Sequence, residues 1–221
     1  MDDKYINEFL NVSMLGKSYK TVFGYDNLSD SEKINLLLNV SLFGKGYRKD
    51  LTNEGKIDLA IKRAYRDFCR TIDKDKLKQN KYDLNTAKDA AVEIITNNFK
   101  ATPSDKVAYN KWFFDLCTAI TNIGYSFGQA QKWVNMTMKY LIVLDYEPFD
   151  QAIIKCMHAP IDTDIVHHVI DENHWDDYLP WSSYTVLNEK KYKELQKKIV
   201  EIKKEGICTI EWEFDTWNKK E

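Results

Sequence analysis

The stretch DKVAYNKWFFDLCTAITNI (105–123), followed by GYSFGQAQKWVNMTMKYL (124–141), decides the fold. In the first part Phe113, Leu116 and Ile120 step by three and four residues, joined by Val107 and Trp112, which is the spacing of one apolar helix face. Ser104 or Asp105 stands ahead of them as a side-chain cap, after the turn residues Thr102 and Pro103. Ala130, Trp133, Val134, Thr137 and Leu141 repeat the helical spacing beyond the glycines. The reading is two long helices joined by a short turn at Gly124, the first of them central to the core.

Working outward, the same periodicity recurs. Ser29-Asp30-Ser31-Glu32 opens a helix that runs through Ile34, Leu37, Leu38 and Leu42 and stops at Gly44. A second covers about 55–72, with Ile57, Ala60, Ile61, Ala64, Tyr65 and Phe68 on one face and Lys62, Arg63, Arg66 and Arg70 on the other. The polar, lysine-rich 73–83 reads as a loop, 85–99 as a helix and 188–205 as a lysine-faced helix. The ending, with Trp212 and Trp217, suits a capped short helix or a strand. The expected fold is all-α, a compact multi-helix domain of about nine or ten helices over 1–221. It is divisible into amino-terminal helices (1–80) and a core (84–221).

Composition narrows the classes. A chain of 221 residues with 43% hydrophobic content has enough apolar material for its own core, and no run reaches the roughly 18 apolar residues of a membrane span. Met1-Asp2-Asp3-Lys4 lacks the basic and apolar regions of a secretory leader, so a cytoplasmic protein without a membrane partner is expected. Cys69, Cys117, Cys156 and Cys208 are far apart and form no Cys-x-x-Cys pair, which points to free thiols. A net charge of −2 argues against coating nucleic acid by bulk charge, while leaving room for a local basic face. Residues 9–20 and 37–48 form a near-repeat ending in Gly-Lys-x-Tyr. It reads as a duplicated helix stop, with Lys17 and Lys45 as the cations favoured there.

Function concentrates between 124 and 174. All four histidines, His158, His167, His168 and His174, fall within seventeen residues, interleaved with Asp162, Asp164, Asp171, Asp176 and Asp177. Upstream lies the Gly124-x-x-x-Gly128 turn, and Pro160-Ile161-Asp162-Thr163-Asp164-Ile165-Val166 is a natural helix start with Asp162 or Thr163 as cap. The four-residue intervals His158–Asp162, Asp164–His168 and His167–Asp171 also admit a metal-dependent hydrolase, although none is a known metal signature.

The order helix, glycine turn, helix, then Pro160-Ile-Asp-Thr resembles the helix-hairpin-helix DNA glycosylase superfamily over 105–171. In that family a glycine hairpin is followed by a Val-Asp-Thr-His-Val type motif that presents the catalytic aspartate at a helix start. The resemblance implies Asp162 as the carboxylate that stabilises charge on a sugar during N-glycosidic cleavage. It also implies Gly124, Gly128 and the next amides as a clamp for a DNA phosphate. Flipping a base calls for a lined pocket, for which Gln129, Gln131, Trp133, His158 and Trp175 are the candidates. Lyase-active members carry a lysine about two residues past the second glycine. Lys132 stands four past Gly128, and two residues rotate a helix by about 200°, so this candidate catalytic lysine is expected to face elsewhere unless the hairpin is rebuilt. The implied partner is DNA or a nucleotide, and no cofactor or metal is implied. A non-enzymatic helical interaction module is the other reading that the sequence admits.

Overall fold

A computed structural model describes residues 29–44, 47, 50–173 and 187–218. Among these there are ten α-helices and no strand: α1 (Asp30–Phe43), α2 (Asn53–Phe68, extended by a 3-10 turn at Cys69–Thr71), α3 (Lys74–Gln79), α4 (Leu84–Phe99), α5 (Lys106–Ile123), α6 (Phe127–Val143), α7 (Gln151–Cys156), α8 (Thr163–Asn173), α9 (Glu189–Ile202) and α10 (Thr209–Asn218). The fold is all-α, and no helix among the described residues is long and apolar enough to cross a membrane. The first copy of the near-repeat, His174, Trp175, Asp176, Asp177 and the side chains of Asp171 and Trp217 lie outside the described residues.

Contacts divide the chain into two units, Met1–Leu59 and Ala60–Glu221, with the boundary inside α2. In the first, Leu36, Val40 and Phe43 of α1 are buried, and Gly44 ends the helix with φ 67°, a conformation that glycine adopts without a Cβ clash.

The second unit is built on the α5–α6 pair, with α4 packed on α5 and α8 on α9. The capping residues explain the boundaries. Asp83 accepts from the amides of Asn85 and Thr86, and Asp105 from those of Val107 and Ala108. Ser126 and Gln129 form a reciprocal capping box at the start of α6. Between the residues Ile61 to Phe68 of α2 and α6 the contact is aromatic: Trp133 is fully buried among Tyr65, Phe68 and Tyr125, and its Nε1–H donates to the Ile61 carbonyl at 3.1 Å. The carboxyl-terminal segment is helix, not strand, and Trp212 docks it with a buried ring beside His168. The four cysteines are free, Cys117 and Cys156 being buried.

Two details refine the reading of sequence. The 73–83 stretch holds a short helix, nucleated where the Asp73 side chain caps the Asp75 amide and anchored by buried Leu77. The α5–α6 turn packs onto that helix. Gly124 has φ 126°, and a Cβ there would lie 3.0 Å from Asn80 Nδ2 and 3.1 Å from Leu77 Cδ2. Gly124→Ala therefore meets both backbone strain and close contact, with an expected loss of about 1–3 kcal/mol in chemical denaturation. An unchanged midpoint would show that the turn relaxes freely.

Candidate functional site

The site begins with a buried, non-helical segment, residues 157–162, that carries Asp162 to the start of α8. A non-helical segment in a core must find partners for its peptide groups, and among the described residues no strand supplies them. Two glutamines do. The Gln196 amide accepts from Ala159 N (3.2 Å) and donates to Ala159 O (2.7 Å). The Gln131 amide accepts from Ile161 N (3.1 Å) and donates to Ile161 O (2.7 Å). Pro160, which has no N–H to satisfy, sits between the two clamped residues. Gln131 also donates to the Gly128 carbonyl and accepts from Asn135, so its side-chain amide is fully used inside the core.

Held this way, Asp162 caps α8 through Oδ1, which accepts from Ile165 N at 3.0 Å. Its Oδ2 lies 3.4 Å from Lys132 Nζ. The pair is recessed, with side chains only 12% (Lys132) and 14% (Asp162) exposed. The α6 helix therefore turns Lys132 toward Asp162, and the two residues share a cavity of about 450 Å³.

Lys139, one helical face along from Lys132, also lines the cavity. It pairs with Glu213 of α10 at 2.6 Å, and the Glu213 side chain is 1% exposed. Burial pushes the Glu213 carboxyl above the usual range, while Lys139 pulls it the other way. Met136 and Tyr140 complete the α6 side of the wall. The Tyr140 hydroxyl donates to Asp67 at 2.7 Å, Asp67 pairs with Arg63, and the Arg63 guanidinium lies 5.1 Å above the Tyr140 ring. Arg66 and Arg70, both exposed, extend this line, and neither forms an ion pair among the described residues. Five cations and three carboxylates thus face one cavity. Such a surface suits an anionic ligand.

Other candidates fall elsewhere. Gln129, Gln131 and Trp133 are core residues: Gln129 caps α6 and donates to the Thr71 carbonyl at 2.8 Å, so these side chains support the site from beneath and do not line the cavity. Gly124 and Gly128 are not in its wall either. The amides of Ser126 and Gln129 are engaged in the capping box, and that of Gly124 bonds to Thr121.

His158 lines a separate hollow of about 260 Å³ with Lys106, Asn110 and Gln196. Both of its ring nitrogens are engaged, Nδ1 with Tyr192 Oη (3.1 Å) and Nε2 with Asn110 Oδ1 (2.9 Å). Burial, aided by the Lys106 charge, pushes it down to about 3, so it is neutral at ordinary pH. His167 and Asp164 are exposed. Among the described residues no three His, Cys, Asp or Glu side chains converge as a metal site would need.

Of the cavity's lining, sequence reasoning places only Lys132 and Asp162 in the site; it misses Arg63, Arg66, Asp67, Arg70, Met136, Lys139, Tyr140 and Glu213. The arginines were visible as a basic face at steps of three and four, but the helix opposite that face is set by packing. No family model, no curated protein and no solved structure matches the chain.

Proposed function

We propose that the cavity receives a nucleoside unit of a nucleic acid or nucleotide and that the protein cleaves its N-glycosidic bond, with Asp162 as the carboxylate and Lys132 as the adjacent amine. The observation that carries this reading is their position side by side, 3.4 Å apart, in a recess faced by arginines.

Breaking the bond between sugar and base builds positive charge on the sugar, and a fixed carboxylate beside C1′ stabilises it. Lys132 supplies the nucleophile as the neutral amine, its ammonium proton passing by way of Asp162 to the departing base, so that the carboxylate is ionised again as charge develops on the sugar. Attack on C1′ forms a carbon–nitrogen bond, the base leaves with the old bonding pair and takes up a proton, and opening of the sugar ring yields an imine. A tryptophan-faced interaction module fits less well. Among the described tryptophan side chains, Trp133 and Trp212 are buried, and Trp112 donates its Nε1–H to the Asn98 carbonyl at 3.3 Å.

The test uses the full chain with oligonucleotides that carry altered bases, with and without sodium borohydride, which reduces an imine to a permanent link. The expected result is base release with a covalent adduct at Lys132, absent from Lys132→Gln. Asp162→Asn should slow release by about a hundredfold or more, the scale of losing one fixed electrostatic group. Release without an adduct would assign the attack to water and keep Asp162 as the carboxylate. Full activity in Asp162→Asn, or no release from any substrate, would end the proposal.

A further inference from the structure

We infer that the substrate is single-stranded nucleic acid, tracked by the arginine line of α2, an inference that rests on the glycosidic reading above. Three observations carry it.

The exposed guanidiniums of Arg66 and Arg70 continue the line begun by Arg63 along one helix and its 3-10 extension, all facing the cavity. Such a row matches one phosphate backbone, because the Arg66 and Arg70 guanidiniums can each take a phosphate in two parallel hydrogen bonds, while Arg63 is held by Asp67. A duplex presents two backbones. The element that would be suited to hold the second, the turn before α6, has its Gly124, Ser126 and Gln129 amides already engaged within the protein and lies outside the cavity wall.

The second observation is depth. Asp162 and Lys132 are recessed, so the sugar they act on must descend between the cations with its base unstacked. In a duplex that costs a few kcal/mol of lost pairing and stacking, whereas a single strand offers the nucleotide already free. The third is the charge balance. The whole chain carries −2, so it has no general positive field to hold a duplex while a base is extruded, and at the cavity Arg66 and Arg70 are the cations without an ion pair among the described residues.

The test is fluorescence polarisation of the full chain against a short labelled DNA strand, the same sequence as RNA, and the corresponding DNA duplex, over a range of salt. Inorganic phosphate and a nucleoside monophosphate serve as competitors. A strand is expected to bind about tenfold or more tightly than the duplex, and the DNA and RNA arms decide which sugar is preferred. Arg66→Ala with Arg70→Ala should reduce the slope of log affinity against log salt by about 1.4, two contacts at about 0.7 each on a single strand. Because both side chains are exposed, this variant should melt with the parent. Arg66→Lys with Arg70→Lys, which keeps the charge, should retain the slope.

Equal or tighter duplex binding would overturn the inference, as would an unchanged slope in the alanine variant. So would competition by inorganic phosphate as effective as that by the strand, or binding to no polymer. Strand binding with these signatures but no base release or adduct would sink the glycosidic reading and leave the ligand class standing. Base release from duplex alone would do the reverse.

Discussion

Acidification from pH 6.5 to pH 4 is expected to remove about 3 kcal/mol of stability through His158 alone, at about 1.4 kcal/mol per pH unit per proton. In the folded chain burial, with the Lys106 charge, pushes this histidine from 6.5 down to about 3. In the unfolded chain it takes up a proton near 6.5. Below that pH the unfolded state therefore binds one proton more than the folded state, so stability falls as pH falls, and the loss continues until the folded pKa is reached. The bonding around the ring gives the same direction. The Tyr192 oxygen accepts from Asn135, which leaves its hydroxyl hydrogen for His158 Nδ1, and Nε2–H faces the Asn110 carbonyl oxygen. A second ring proton on Nδ1 would confront that hydroxyl inside a core of Phe113, Tyr109 and Tyr192 rings. Denaturant unfolding at a series of pH values checks this, with His158→Gln as the comparison. Surface carboxylates titrate in the same range in both proteins and cancel. The parent should lose stability more steeply than the variant, by about one proton's worth per unit between pH 6 and 4. Parallel curves would mean that His158 is protonated in the folded protein.

This neutral histidine also shows where sequence alone stops. Long periodic segments are legible: α5 fills the span that its cap and apolar spacing indicate, and α6 and α9 lie where the spacing places them, with α9 ending at Ile202, three residues short of the expected end, because amphipathic period is a local property. Short α3 was hidden in a lysine-rich run, since one buried residue, Leu77, and one capping aspartate leave no period to read. Asp162 stood out through its neighbours and its helix start, and the structure keeps it there as a cap. The clamp that delivers it was not legible. Gln131 and Gln196 lie on different helices and act on alternate residues of a non-helical segment, and nothing local marks a glutamine as a peptide partner. Lys132 illustrates the same limit. Counting residues from the glycine assumes the family's hairpin, whereas the direction of Lys132 follows from how α6 starts at Ser126 and where residues 157–162 cross it. A cluster of four histidines suggested joint action, yet His158 is a core residue, His167 is exposed and His168 packs on Trp212, each doing a separate job.

Glu213→Ala should be among the most damaging single substitutions, with an expected loss of about 3–5 kcal/mol. The reason is the charge left behind, not the strength of the bond removed. Lys139 and Glu213 are 2.6 Å apart, with side chains 13% and 1% exposed. The raised Glu213 carboxyl shows that the cost of burial outweighs the attraction of Lys139 on its ionised form. The pair therefore contributes little net stability, while removing one partner takes from the other its nearest counter-ion in a largely buried position. Replacing both, as Lys139→Met with Glu213→Leu, keeps the volume and removes both charges, and should restore stability to within about 1 kcal/mol of the parent or raise it. Denaturant midpoints of the parent, the single variants and the double variant form a cycle that isolates the pair. A double variant as unstable as Glu213→Ala would show a bridge that is favourable in its own right. A harmless Glu213→Ala would show that water reaches Lys139 from the cavity. The double variant has a further use, because it removes one cation and one carboxylate from the cavity wall while leaving Lys132, Asp162, Arg66 and Arg70 in place. If the cavity acts through those four, strand binding and its salt slope survive in a protein whose wall has lost a charged pair.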